Sequence, residues 1–212
     1  MDNILMEFEV LQKNLDNLPI ENLADYDLSK TALFIVDINN GFAKEGALYS
    51  DRIKSLITPI YEFVKPLEEK LNKIIAFTDT HDKNSVELNS YPEHCLVDTE
   101  ECKVVDELLN IKNLEIIPKN STNGFFAMDV NILDDIDNVV VVGDCTDICI
   151  YQFAVTLKAY FNEKNINKNI VVPMNLVDTY DIPFVHPGDL LNIVFLNSML
   201  QNGVKLIKKF SL

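Results

Sequence analysis

The chain predicts an α/β fold, an open doubly wound sheet of six mainly parallel strands with helices on both faces. Three observations lead there. Short β-branched apolar runs recur along the sequence, stretches with helical spacing lie between them, and 212 residues at 48% hydrophobic content suit one core. An open sheet is the economical topology for six strands, because a closed eight-stranded barrel needs more chain.

The elements follow in order. Residues 2–18 place Ile4, Leu5, Phe8, Leu11, Leu15 and Leu18 at helical spacing and stop at Pro19. Their face lacks the Lys and Arg of a membrane anchor, so this helix is expected to pack on the domain or on a second subunit. Residues 1–28 form an N-terminal helical extension of one domain spanning 1–212. Strands are expected at "TALFIVD" (31–37), "KIIAFTD" (73–79), "LEIIPK" (114–119), "NVVVVGD" (138–144), "NIVVPM" (169–174) and "GVKLIKKF" (203–210). All but the last read as buried on both faces. Helices are expected through Ile53, Leu56, Ile57, Ile60, Tyr61, Val64 and Leu67, over 149–161 and over 190–200, while "LDDID" (133–137) reads as a solvated helix end.

A net charge of −15 argues against a nucleic-acid partner, since phosphate recognition needs a basic surface. No apolar run approaches the roughly 18 residues that span a bilayer, and the acidic N-terminus is unlike a secretory signal. The expectation is a soluble cytoplasmic protein with a small-molecule partner. A reducing compartment would keep Cys95, Cys102, Cys145 and Cys149 as thiols, which disfavours a disulfide between Cys145 and Cys149.

In open α/β sheets ligands bind beyond the carboxyl ends of the strands. The residues there are chemically loaded: Asp37 after the first run, Asp79 with His81 after the second, Lys119 after the third, and Asp144 ahead of two cysteines after the fourth. Thr146 or Asp147 is a suitable N-cap, which puts Cys149 in a helix's first turn. There the helix dipole, free N–H groups and Lys119 are expected to favour thiolate, and Asp37 could carry a proton to a leaving amine. The backbone N–H of Cys145 is assigned to an oxyanion hole and its thiol to a bystander role. The plainer reading of Cys149 is a small apolar filler, and the Asp and Lys on neighbouring strand ends weigh against it.

A second constellation, Asp79, His81, Glu87 and His94, falls within "DTHDKNSVELNSYPEH". Imidazole nitrogen with carboxylate oxygen is the ligand set of zinc, iron or manganese, although surface His and Asp residues are the bland alternative. His186, in "VHPG", has no such company and reads as structural.

Taken together these segments resemble the isochorismatase-like cysteine hydrolases, and within them the nicotinamidases. "DINNGFAKEGAL" is similar to an Asp followed by Gln-Asn-Asp-Phe and Gly-Ala-Leu; "DTH" and "YPEHC" to Asp-x-His and Pro-x-His-Cys; "KNSTNGF" loosely to Lys with Ser-x-Phe; and "GDCTDIC" to Gly-x-x-Thr-Asp-x-Cys. The resemblance runs from about Thr31 to the C-terminus. It implies a catalytic triad of Asp37, Lys119 and Cys149, an oxyanion hole of the Cys145 and Cys149 backbones with a cis peptide at Asp144–Cys145, and a divalent metal on Asp79, His81 and His94 that binds a pyridine nitrogen. Zinc is the first expectation, with iron or manganese as alternatives, and Glu87 stands where a fourth, direct or water-bridged, contact is made. Phe42, Leu48, Tyr91 and Phe125 look like walls of a ring pocket. The implied reaction is hydrolysis of nicotinamide through a cysteine thioester, and a homo-oligomer is implied. Three departures, Asn39-Asn40-Gly41 for Gln-Asn-Asp, Thr122 for an aromatic residue and Tyr91 for Trp, touch the pocket and put the substrate in question more than the reaction. A metal-free relative acting on carbamoyl or ureido compounds, and a non-catalytic binding protein, are the alternatives.

Overall fold

The computed structural model describes residues 2–211. Its centre is a six-stranded sheet, every pair of which is parallel: β2 (Thr31–Val36), β3 (Lys73–Asp79), β4 (Leu114–Lys119), β5 (Asn138–Gly143), β6 (Asn169–Pro173) and β7 (Lys205–Ile207), in the order β4-β3-β2-β5-β6-β7. The chain winds outward from β2 through β3 to β4, then crosses to the other side of β2 and winds outward again. The order therefore reverses between β2 and β5, and an open sheet has its crevice at such a point. A separate parallel pair joins β1 (Ile20–Asn22) to β8 (Lys209–Ser211).

Alternation along the central strands divides the core between the two faces. Leu33, Ile35, Ile74, Ala76, Val140 and Val142 pack with Ile57, Ile60 and Val64 of α4 (Ile57–Val64) on one side. Phe34, Val36, Ile75, Phe77, Val139 and Val141 pack on the other with Phe153 and Leu157 of α6 (Tyr151–Glu163) and Leu196 of α7 (Gly188–Gln201). Phe34, Phe77 and Phe153 form one fully buried aromatic cluster, with centroid separations of 4.9–5.3 Å.

Four sequence expectations are corrected in detail. The strand 114–119 is not buried on both faces: it is the sheet edge, where Pro118 costs no ladder bond, and Glu115, Ile116 and Pro118 are exposed while only Lys119 is buried. The helix expected through 53–67 is broken into α3 (Asp51–Lys54), α4 and a 3-10 turn at Lys65–Leu67, because Pro59 and Pro66 lack an N–H and belong in first turns. The last expected strand, 203–210, is two strands, divided at Lys208, whose N–H donates to Pro19 O at 2.7 Å. Residues 133–137 follow a 3-10 turn, Val130–Leu133, and bury Leu133 and Ile136 while their acids face outward.

The N-terminal helix α1 (Asp2–Asp16) lies along α7, with Leu15 buried and Asn197 Nδ2 donating to Leu11 O at 3.2 Å. Among the described residues no helix is long and apolar enough to cross a membrane.

Candidate active site

The sheet's register brings the strand-end residues together. Asp79 is the pairing partner of Lys119, and Val36, just before Asp37, pairs with both Phe77 and Gly143. Lys119 Nζ, fully buried, lies 2.7 Å from Asp79 Oδ1, 2.8 Å from Asp37 Oδ2 and 3.9 Å from Cys149 Sγ. Its contact with Asp37 is an ion pair by distance rather than a directed hydrogen bond, and both Asp37 oxygens are otherwise without a donor. One ammonium thus serves two carboxylates and a thiol.

That arrangement sets the protonation states. Burial pushes the Asp37 carboxyl up to about 6, with Lys119 opposing and the Asp79 charge adding to the rise. For Asp79 burial also acts upward, but Lys119 and the two histidines outweigh it and hold the acid well below the usual carboxylate range. Lys119 stays protonated, since Asp37, Cys149 and Asp79 overcome its desolvation.

Cys149 departs from expectation. Burial pushes its thiol up, and the pull of Lys119 is offset by Asp37 and Asp79. Its surroundings therefore favour thiol over thiolate. No side chain caps the turn: Thr146 Oγ1 is buried without a partner and Asp147 Oδ2 is 2.9 Å from His186 Nε2. Cys149 instead lies in a π-turn, Thr146–Ile150, in which the N–H groups of Ile148 and Ile150 both donate to Cys145 O at 3.1 Å before α6 begins. Such wide turns occur often at functional sites.

Gly143 makes the close approach before this turn, at φ +115°, where an added Cβ would fall 2.1 Å from Val36 O. The Asp144–Cys145 peptide is cis, as the resemblance implies. Cys145 lines the cavity and, among the described residues, its backbone N–H has no acceptor. All four cysteines are free in this structure.

The second constellation also assembles. His81 Nε2 and His94 Nε2 lie 2.9 and 3.0 Å from one oxygen, Asp79 Oδ2, and all three residues are buried. The opposite nitrogens are occupied: His94 Nδ1 donates to Pro92 O at 2.7 Å, and His81 Nδ1 is 3.1 Å from Asn120 Oδ1. Acceptors on Nδ1 leave Nε2 as the lone-pair nitrogen. Two lone pairs then face one carboxylate oxygen, an arrangement that calls for two imidazolium protons or a cation. The donor set, two imidazoles and a carboxylate, fits a divalent transition ion with positions left for water or ligand. Glu87 Oε1 lies 3.9 Å from His81 Nε2 while Glu87 Oε2 accepts from the Thr122 N–H at 3.0 Å, which sets this acid at the edge of the group.

A cavity of about 500 Å³ joins the two constellations. Phe42, Leu48 and Tyr91 line it with Asp37, Asp79, His94 and Cys149, and the Phe42 and Tyr91 rings stand 5.7 and 6.0 Å from the His94 ring. Phe125, expected in this wall, is not part of it. Gly124 packs on Phe77 so closely that a Cβ would fall 2.6 Å away, and Phe125 turns to the α6 side, against Tyr160 at 5.4 Å.

Sequence reasoning missed Arg52 and the segment 180–182, which complete the wall. Arg52 is held by Asp178 and Asp189 at 2.7 Å each. The signal available was the long stretch between β6 and α7, a loop at the carboxyl edge of the sheet. His186 is structural as expected: it joins this segment to the nucleophile turn through Asp147 and stacks on Tyr180 at 3.7 Å.

The parallel sheet carries Asp37, Asp79 and Lys119 at its strand ends and Cys149 in the turn after β5, and residues 31–179 match the Isochorismatase domain. The chain belongs to the isochorismatase family. Nicotinamidase 1 of Arabidopsis thaliana is 26% identical over 86% of this chain and 87% of its own length. Among solved structures, the pyrazinamidase of Pyrococcus horikoshii in complex with zinc superposes with a TM-score of 0.68 at 20% identity, over 84% of this chain and 98% of that one. N-carbamoylsarcosine amidase of Thermoplasma acidophilum superposes with a TM-score of 0.67 at 19% identity, over 84% and 95%.

Proposed function

We propose that the protein is a cytoplasmic, metal-dependent amidohydrolase that converts nicotinamide to nicotinic acid and ammonia through a thioester on Cys149. The carrying observation is one cavity lined by Asp37 and Cys149 of the first group and by Asp79 and His94 of the second, with Lys119 and His81 buried behind them.

Asp37 takes the Cys149 proton as sulfur adds to the amide carbon, and the carbonyl electrons move to oxygen, where the backbone N–H groups of Cys145 and Cys149 receive them. Asp37 passes the proton to the departing nitrogen, the C–N bond breaks, and ammonia leaves. Asp37 then removes a proton from water as its oxygen attacks the thioester, and sulfur departs with that proton. A carboxyl near 6 suits both directions of transfer near neutral pH. Lys119 keeps its charge throughout and holds Asp37 in place. Asp79, His81 and His94, with Glu87 as an outer acid, would hold the metal, with zinc the proposed ion and iron or manganese the alternatives. When bound, the ion supplies a Lewis-acid anchor for the pyridine nitrogen. Phe42, Leu48 and Tyr91 would flank the ring.

Hydroxylamine diverts an acyl-thioester to a hydroxamate, so nicotinamide turned over in its presence should yield nicotinohydroxamate with the wild type and none with Cys149→Ala. Turnover by Cys149→Ala equal to wild type would remove the nucleophile from this reading, and ammonia from carbamoyl or ureido compounds but not from nicotinamide would transfer it to another substrate class.

A further inference from the structure

Both histidines of the proposed metal group are tied to the backbone of one residue, Cys95. Its carbonyl accepts from the His81 N–H at 2.9 Å, and its peptide nitrogen is the one that follows His94. Cys95 is fully buried and has φ +44°, a left-handed conformation that a non-glycine residue keeps only when its surroundings enforce it. Glu101 holds it on two sides: its Oε2 accepts from the Cys95 N–H at 3.0 Å and its backbone oxygen lies 3.5 Å from Cys95 Sγ.

The place where Glu101 sits is made by two glycines. A Cβ on Gly41 would fall 3.0 Å from Glu101 Cβ and 2.8 Å from Cys95 Sγ, and one on Gly46 would fall 3.1 Å from the Glu101 carboxyl carbon. The Gly41 N–H donates to Glu101 O at 3.0 Å, so the segment is zipped to Glu101 through its backbone. Gly46 leads into Ala47, Leu48 and Tyr49 of the cavity wall. One carboxylate is thus packed between the wall of the cavity and the peptide that joins the two histidines.

We propose that Glu101 is a positioning residue for the metal group, fixing the Cys95 backbone and through it the imidazoles of His94 and His81. The assignment rests on the metal reading of Asp79, His81 and His94. Glu101 lies outside both the Asp79–His81–His94 cluster and the lining of the cavity.

The test compares Glu101→Ala, which removes the acceptor, with Glu101→Gln, whose amide oxygen can still accept from Cys95. Each chelator-stripped protein is titrated with cobalt(II), read by its visible absorption, and with zinc by competition. We expect Glu101→Ala to bind both ions about tenfold or more weakly than wild type, as outer contacts of metal ligands commonly do, and Glu101→Gln to stay within about threefold, with near-UV circular dichroism unchanged in both. A Glu101→Ala protein that binds cobalt and zinc like the wild type overturns the proposal. The second readout needs no metal: exchange of the Cys95 amide proton by NMR in the stripped protein. Exchange about tenfold faster in Glu101→Ala, with β3 amides unaffected and Glu101→Gln protected, supports the positioning role. Equal Cys95 exchange in wild type and Glu101→Ala overturns it. Should the wild type bind neither ion, the metal reading fails, and the exchange result still decides whether Glu101 fixes this backbone.

Discussion

Lys119 carries the electrostatics of the site, because a single buried ammonium faces Asp37, Asp79 and Cys149. Replacing it with Ala leaves buried Asp37 without a counter-charge and removes one of the groups facing Asp79, which costs about 3–5 kcal/mol. We expect a loss of this size in urea unfolding of Lys119→Ala, together with loss of turnover. Asp37 makes a separate prediction. As a base it must be ionised, and its folded value of about 6 lies above the ordinary carboxylate range, so kcat/KM should be retained above pH 6 and fall as pH drops through it. Asp37→Asn should reduce turnover by about 10²- to 10⁴-fold and abolish that acidic limb, as measured by a pH–rate profile. Alkylation read by mass spectrometry should track loss of activity at Cys149, which opens onto the cavity, and should spare buried Cys95.

At the scale of elements, glycine and the wide turn decide where the nucleophile stands. Gly143→Ala would drive a methyl group against Val36 O and force φ +115° on a residue with a Cβ. The expected loss is about 3 kcal/mol, and with it roughly 6–12 °C in Tm by calorimetry. The strands and the order of polar residues at their ends were legible in the sequence, because buried parallel strands read as continuous apolar runs and the first residue beyond each marks the crevice. Asp37, Asp79 and Lys119 were legible for the same reason, whereas His94 and Cys149, in a loop and a turn beyond the strands, were legible from their residue types and the family motifs around them. The π-turn was not, since helical spacing around Cys149 continues through it and only the doubled acceptance by Cys145 O reveals the wider pitch. Nor was the direction of the Cys149 shift: a helix start and a lysine argue for thiolate, whereas the structure buries the thiol and turns that lysine toward two carboxylates. Phe125 was misplaced because adjacent aromatic residues in a 3-10 turn point to different sides, and the sequence does not say which faces the cavity.

Across the whole molecule, the sheet's order reversal beside β2 is what lets four strand ends converge, and the two constellations form one site only if they share a substrate. The most direct test is ammonia release from nicotinamide by the purified protein, measured as isolated, after a strong chelator, and after zinc, iron or manganese is added back. Turnover that disappears on chelation and returns with metal is the predicted result. Turnover untouched by complete removal of metal, or absent with every ion while the protein remains folded, would contradict the account.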